Sequence, residues 1–149
     1  LQLDGMQAGL AWITILRKRD NFRAAFAGFD PHVLAEWGEA DVLRLLDDPG
    51  IIRHRGKIEA TINNARAWQV IEADQGFDTF LWSYVDGKPL INHWTTKAEV
   101  PAQTPLSQQV SKDLKKAGFK FCGPTIVYAF MQACGLINDH LTTCHRYGK

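Results

Sequence analysis

The chain has 149 residues, 46% of them hydrophobic, which suits a single domain with one core. Its 17 Lys and Arg residues nearly balance 16 Asp and Glu residues, so net charge indicates neither a nucleic-acid partner nor an acidic one. No apolar run approaches the roughly 18 residues of a membrane span, and three cysteines at irregular spacing argue against a secreted disulfide framework. We therefore expect one soluble domain, residues 1–149, in a reducing, cytoplasmic setting.

Apolar side chains recur every three or four residues along most of the chain, the spacing of amphipathic helices. The clearest stripes, in chain order, are Leu10, Ile13 and Leu16; Ile58, Ile62, Ala65, Trp68 and Ile71; Leu106, Val110, Leu114 and Ala117; and Ile126, Phe130 and Ala133. Alternating strand patterns are scarce. The best one, KPLINHW at 88–94, could be a short strand or an ordered loop.

Capping residues mark the helix boundaries. Asp30 and Thr104 each precede a proline, a combination typical of the start of a helix. Three glycines mark helix ends: Gly76, Gly118 and Gly135. These signals predict an all-α domain, a compact bundle of seven or eight short helices, which should bury most of the five Trp and eight Phe.

The stretch 114–130 has helical spacing on both sides of a turn bracketed by Gly118 and Gly123. Pro124 and Thr125 open the second helix. The first amide N–H groups of a helix have no partner within it, and the helix dipole adds to their attraction for an anion. The turn is therefore a candidate anion site.

Lysines and phenylalanines alternate around this turn. Lys115, Lys116 and Lys120 would attract a phosphate backbone without reading base sequence. Phe119 and Phe121 would anchor the apolar side of the turn while its basic side faces outward. This pattern favours a DNA-binding clamp, and an ordinary helix connection with solvated lysines is the alternative.

His140 and Cys144 lie near the C-terminus at a spacing that suits two ligands of one metal ion. Two ligands rarely hold zinc tightly, because a structural zinc site has four. A polar tail that frays is the alternative interpretation.

Four stretches resemble the bacterial type I 3-methyladenine DNA glycosylases, a family of the helix-hairpin-helix glycosylase group. They are QAGLAWITILRKRDNFRAAF (7–26), GIIRHRGKIEATINNARA (50–67), GFKFCGPTIVYAFMQACGLINDH (118–140) and the terminal His140 and Cys144. With similar intervening lengths, they cover essentially the whole chain, which is far more specific than a lone glycine motif. The resemblance implies a helical bundle that contains a helix-hairpin-helix DNA-binding motif.

The resemblance also implies an activity in base excision repair. The enzyme would flip 3-methyladenine out of alkylated double-stranded DNA and hydrolyse its bond to the sugar, releasing the free base. Relatives in the wider group that also nick the strand use a lysine near the start of the second hairpin helix, and none occurs between Gly123 and Gly135. We therefore expect a monofunctional enzyme that leaves an abasic site. The resemblance also implies a monomer that needs no catalytic cofactor.

By the same resemblance, Asp4 and Trp12 would bind the base. Asp4 stands where the family has a Glu that contacts the base, and its side chain is one methylene shorter. Trp12 would stack on the ring, because an aromatic face attracts a cation. Without the resemblance, Asp4 is merely an early acidic residue and Trp12 a core residue.

The resemblance assigns DNA contacts to two segments. Gln7, Gly9 and Leu10 belong to the loop with which the family probes the duplex, and an apolar wedge partly replaces stacking lost on base flipping. The hairpin would contribute Gly118, Phe119, Lys120, Phe121, Gly123 and Thr125. The alternative makes Gly9 a helix breaker and Leu10 a core residue. The basic cluster RHRGK at 53–57 either contacts phosphate or is a solvated helix start.

In the family, a structural zinc joins a Cys and a His of an N-terminal segment to a C-terminal His-x-x-x-Cys, here His140 and Cys144. That segment also lends aromatic residues to the base pocket, and we expect it upstream of Leu1. We expect no ordered zinc on two ligands alone, and Asp139 would orient a ligand. A non-catalytic helix-hairpin-helix DNA-binding module and a small helical interaction protein are the rival interpretations.

Overall fold

The computed structural model describes residues 1–149 and is helical almost throughout. Nine α-helices follow one another: α1 (Gln2–Gln7), α2 (Trp12–Arg17), α3 (Arg19–Ala25), α4 (Pro31–Ala35), α5 (Glu39–Leu46), α6 (Arg55–Asp74), α7 (Phe77–Trp82), α8 (Pro105–Lys116) and α9 (Pro124–Ala133). Short 3-10 helices lie at Ala27–Phe29, Ser83–Val85 and Lys97–Glu99. The all-α prediction is confirmed, with more helices than the seven or eight expected. None of these helices is long and apolar enough to cross a membrane.

Two helix starts and three helix ends lie where the capping residues predicted. At the start of α4 the Asp30 carboxylate accepts a hydrogen bond from the His32 amide at 2.9 Å. At the start of α8 the Thr104 hydroxyl accepts from the Ser107 amide at 3.1 Å. The glycines that follow three helices have left-handed φ angles: 82° at Gly76, 99° at Gly118 and 79° at Gly135.

A two-stranded sheet joins distant parts of the chain. β1 (Leu90–Ile91) pairs in parallel with β2 (Ile137–Asn138), and the Leu90 amide donates to the Leu136 carbonyl at 2.9 Å. The KPLINHW stretch therefore contains a short strand. This pairing fastens the connection between α7 and α8 to the residues just before His140.

The core divides into two hydrophobic clusters that share helix α6. Ile58, Ile62 and Ala65 belong to the cluster formed with α1 to α5, whereas Ala67 and Ile71 belong to the cluster formed with α7, α8 and α9. Because α6 contributes to both clusters along its 20 residues, it is the central support of the fold.

The expectation that most Trp and Phe side chains are buried is wrong. Four phenylalanines are buried, Phe22, Phe26, Phe119 and Phe130, but none of the five tryptophans is. The apolar stripe at Leu10, Ile13 and Leu16 is 37–51% exposed. The reason is that α2 packs on the core through Ile15 alone, so the rest of its apolar surface faces solvent.

Candidate functional site

Two exposed turns carry the residues predicted to contact DNA. The α1–α2 turn comprises residues 7–11, and the hairpin comprises residues 118–123 between α8 and α9. Both rest on α6, whose polar side chains bond to the backbone of each.

The α1–α2 turn is closed around Gly9, whose φ of 77° favours glycine. The Leu10 amide donates to the Gln7 carbonyl at 2.7 Å, and Nε2 of Gln7 donates to the Leu10 carbonyl at 3.1 Å. Leu10 is 37% exposed, so the alternative that placed it in the core is wrong. The turn presents an apolar tip to solvent.

Lys57 lies beneath this turn and is only 6% exposed. Its Nζ donates to the Met6 carbonyl at 2.9 Å and to the Ala8 carbonyl, and burial lowers the pKa of this amine. Both interpretations of the basic cluster are therefore wrong for Lys57. Arg55 forms ion pairs with two glutamates at 2.8 and 3.0 Å, which leaves Arg53 as the exposed cation of the cluster without an ion pair.

Asp4 and Trp12 lie on α1 and α2, which contact each other on either side of the turn. The Asp4 side chain is 13% exposed, with a carboxylate oxygen 3.0 Å from the Leu1 backbone nitrogen. Trp12 is 41% exposed, so it is not the core residue of the alternative interpretation. Neither residue lines the apolar cleft of about 340 Å³ that opens beside Trp68. The two side chains predicted to bind the base therefore lie on α1 and α2, outside this cleft.

Two asparagines of α6 hold the hairpin. Nδ2 of Asn64 donates to the Lys120 carbonyl at 2.9 Å, and its Oδ1 accepts from the Lys120 amide at 2.8 Å. Nδ2 of Asn63 donates to the Gly118 carbonyl at 2.6 Å. The Asn64 side chain pairs with the hairpin as a neighbouring strand would, so the hairpin backbone is fixed on its inner side.

The two phenylalanines of the hairpin point to different environments. Phe119 is 4% exposed and stacks on Phe77 with ring centroids 5.9 Å apart, so its ring anchors the hairpin to the core. The Phe119 side chain is therefore not available to contact DNA. Phe121 has a φ of 52° and is 39% exposed, with its ring against the side chain of His54.

The start of α9 presents amide groups without protein acceptors. Gly123 is the N-cap and provides no side chain, and Pro124 follows it. The N–H groups of Gly123, Thr125 and Ile126 donate to no acceptor in the protein. Lys120 is exposed nearby, so donors and positive charge lie on the same face.

His140 and Cys144 come together at the C-terminus, with Nδ1 and Sγ 3.7 Å apart. In a tetrahedral zinc site with Zn–S of about 2.3 Å and Zn–N of about 2.0 Å, such ligand atoms stand roughly 3.5 Å apart. The pair therefore fits one edge of a zinc site. His140 also lines an open depression of about 800 Å³. No third His, Cys, Asp or Glu completes a metal cluster.

A family model described as Methyladenine glycosylase matches residues 1–147. The chain is also 54% identical over 146 residues to DNA-3-methyladenine glycosylase 1 of Escherichia coli (strain K12), covering 97% of this chain and 78% of that protein. This chain belongs to the methyladenine glycosylase family.

Two further family members agree with this assignment. DNA-3-methyladenine glycosylase of Haemophilus influenzae (strain ATCC 51907 / DSM 11121 / KW20 / Rd) is 46% identical over 143 residues, covering 95% of this chain and 77% of that protein. A crystal structure of a single-residue variant of 3-methyladenine DNA glycosylase I in complex with 3-methyladenine has a TM-score of 0.95 and 40% identity. That match covers 99% of this chain and 80% of the other.

Asp139 has a different role in this family member from the one we expected. Its carboxylate accepts hydrogen bonds from four side chains: Asn92, Trp94, Tyr128 and Gln132. Burial raises the pKa of Asp139, but these hydrogen bonds outweigh it and leave the pKa below its ordinary value. The expectation that Asp139 orients a metal ligand is wrong, because its oxygens join the segment after β1 to α9.

Sequence reasoning missed three α6 residues that shape the site. It placed Lys57 in a surface cluster and assigned no role to Asn63 or Asn64. A signal was present, since Lys57 and Asn64 fall seven residues apart within the apolar stripe of a long helix. A polar residue in such a stripe is buried and needs a partner.

Proposed function

We propose that this chain is a monofunctional DNA glycosylase that hydrolytically removes 3-methyladenine from alkylated double-stranded DNA. The observation that carries the proposal is its near-complete structural match to a family member solved with 3-methyladenine bound. The reaction belongs to base excision repair, and its products are the free base and an abasic site.

Asp4 and Trp12 supply the chemistry that such a base requires. 3-Methyladenine is cationic in DNA and is already a good leaving group, so recognition carries much of the catalytic task. A carboxylate accepts hydrogen bonds from the polar edge of the base and favours its positive charge. An indole face attracts the same cation. Both interactions weaken for a neutral adenine, which makes them selective for the damaged base.

The two exposed turns would divide the contacts with DNA. Leu10 at the tip of the α1–α2 turn would enter the gap left by the flipped base, with Gln7 and Gly9 shaping the turn. The hairpin and its flanking helices would act as the helix-hairpin-helix motif. The amides of Gly123 and Thr125 would bind phosphate there, since they have no protein acceptor.

The surroundings of the lysines support hydrolysis rather than Schiff-base chemistry. Helix α9 contains no lysine. Lys57, the buried lysine beneath the α1–α2 turn, donates to two backbone carbonyls instead of facing a substrate. Borohydride treatment during the reaction should therefore trap no covalent protein–DNA adduct, and detection of such an adduct would contradict the monofunctional mechanism. We propose that the enzyme acts as a monomer in the cytoplasm.

We also propose that His140 and Cys144 provide two of the four ligands of a structural zinc in the complete protein, the other two coming from upstream of Leu1. Their 3.7 Å separation and the open depression beside His140 support this assignment. Such an ion would fix the C-terminal segment and play no part in breaking the bond to the base.

Release of free 3-methyladenine from methylated duplex DNA tests the proposed function. Wild-type chain, Asp4→Asn and a chain extended at its N-terminus are compared, with binding to undamaged duplex measured in parallel. Release that falls with Asp4→Asn supports the glycosylase. Salt-dependent DNA binding without release from any chain would instead favour a non-catalytic DNA-binding module.

A further inference from the structure

Helix α6 faces both exposed turns with buried polar side chains. Lys57 and Asn64 are seven residues apart, which places them on one face of the helix about 10 Å apart along its axis. Lys57 bonds to the α1–α2 turn and Asn64 to the hairpin. One rigid element therefore holds both turns from within.

The two turns also approach each other through helix α1. A Cβ built on Gly5 would lie 3.1 Å from the carbonyl oxygen of Phe121, so glycine lets α1 pack this closely on the hairpin, and a larger residue would require a shift of a few tenths of an ångström. The separation of the turns depends on α1, α6 and the hairpin together.

Lys57 is an unusual choice for a position beneath a turn. Burying an ammonium is unfavourable unless it is fully hydrogen-bonded, and an apolar side chain would suit a core position better. The amine bonds to Met6 and Ala8 where α1 ends, and carbonyls at the end of a helix have no partners within it. A cation at this end is also favoured by the helix dipole. The contact fixes the path of the chain as it leaves α1.

Asn64 provides the corresponding contact on the hairpin side. It is 3% exposed, and its amide makes both a donor and an acceptor bond to the backbone of Lys120. An apolar residue could fill the same space, but it could not satisfy those two backbone groups. The position and direction of Lys120 therefore depend on Asn64.

We propose that Lys57 and Asn64 are positioning residues, Lys57 for the α1–α2 turn and Asn64 for the hairpin. The proposal rests on the glycosylase function proposed above. Lys57 would hold the turn beside which Asp4 and Trp12 receive the flipped base, and Asn64 would hold the hairpin in the shape that binds the phosphate backbone. Catalytic geometry is sensitive to such placement, since a displacement of about 1 Å can reduce a rate on the order of 100-fold.

The two residues predict different kinetic signatures. Lys57→Met keeps the length of the side chain but removes its donors, so the single-turnover rate at saturating enzyme should fall about 10-fold or more. Its affinity for undamaged duplex should change less than about threefold, because the hairpin is untouched. Asn64→Leu should weaken duplex binding about 10-fold while its saturated rate stays within about threefold.

The experiment measures both quantities on a duplex that contains 3-methyladenine. Free base is quantified with enzyme in excess, affinity is measured by fluorescence anisotropy on undamaged duplex, and a thermal melt reports the folded fraction. Thr61→Val is the matched control, because Thr61 is buried on α6 and its hydroxyl bonds only to the Lys57 carbonyl within the same helix. Both of its values should remain within about threefold of wild type.

Opposite signatures in the two variants support the proposal. A purely structural role would leave the rate per folded molecule and the affinity unchanged, or would change both quantities together in both variants. Either result would overturn the proposal. Should Lys57→Met fail to fold, Lys57→Arg is used to test the proposal instead. Its planar guanidinium keeps the positive charge but differs in shape from the compact ammonium group of lysine. Its saturated rate should fall at least about fivefold, and a wild-type rate overturns the proposal. If neither the wild-type chain nor the N-terminally extended chain releases base, the proposed function itself is wrong, and this inference with it.

Discussion

The α1–α2 turn and the hairpin are both exposed, and α6 supports both, yet their surfaces differ. Residues 7–13 carry no charge and expose Leu10 and Trp12. The hairpin exposes Lys120 next to amides without acceptors. An apolar tip suits the interior of a base stack, whereas donors and positive charge suit the phosphate backbone. The contrast supports the proposal that base recognition occurs beside the α1–α2 turn and general DNA affinity at the hairpin, with α6 supporting both.

The largest expected effect is on the chemistry beside the α1–α2 turn. Asp4→Asn removes the charge while preserving shape, and charge-assisted hydrogen bonds contribute about 1.5–3 kcal/mol. The rate of 3-methyladenine release should therefore fall about 10- to 100-fold, measured in single-turnover reactions. Asp4→Glu, which restores the residue typical of the family, is the control and should retain activity. If Asp4→Asn lost affinity for undamaged duplex to a comparable extent, the two turns would not have the separate roles described above.

Trp12→Ala tests the other half of base recognition. A desolvated cation–π contact is worth about 2 kcal/mol, so release should slow roughly 30-fold. Trp12→Phe keeps an aromatic face and should lose less than half of that free energy. Both variants are assayed for free base at saturating enzyme. Equal losses in the two variants would show that indole size, rather than the aromatic face, carries the effect.

Lys120→Ala should act on the other turn and with a smaller effect. Loss of one phosphate contact should lower duplex affinity about three- to tenfold and reduce the slope of log affinity against log salt by about one. The release rate at saturating enzyme should stay within about twofold of wild type. Lys88→Ala removes an exposed lysine outside both turns and should change neither quantity. A loss of saturated rate in Lys120→Ala would contradict the assignment of affinity to the hairpin.

The smallest effect on catalysis should come from the C-terminal pair. Cys144→Ser should leave base release within about twofold of wild type, because the proposed zinc is structural. In the N-terminally extended chain, the same change should lower bound zinc and thermal stability, measured by metal analysis and a thermal melt. Wild-type zinc content in Cys144→Ser would remove the support for this site.

Much of the fold was predictable because its signals are local. Capping by Asp30 and Thr104 depends on residues two or three positions away, and the glycine that ends a helix adjoins its last turn. The candidate site was less predictable. Asp4 and Trp12 were identified only through a resemblance, because an acidic residue and an aromatic residue near one end of a chain have no specific spacing.

The sequence by itself determined the helical class, several helix boundaries, and the basic, glycine-bracketed hairpin. Only the tertiary structure decided which residues are buried and which are exposed. Lys57 belongs to an apparently solvated basic cluster yet is buried, while Leu10 belongs to an apolar stripe yet is exposed. The physical reason is that spacing places a residue on a face of its helix, whereas burial depends on which distant elements pack against that face.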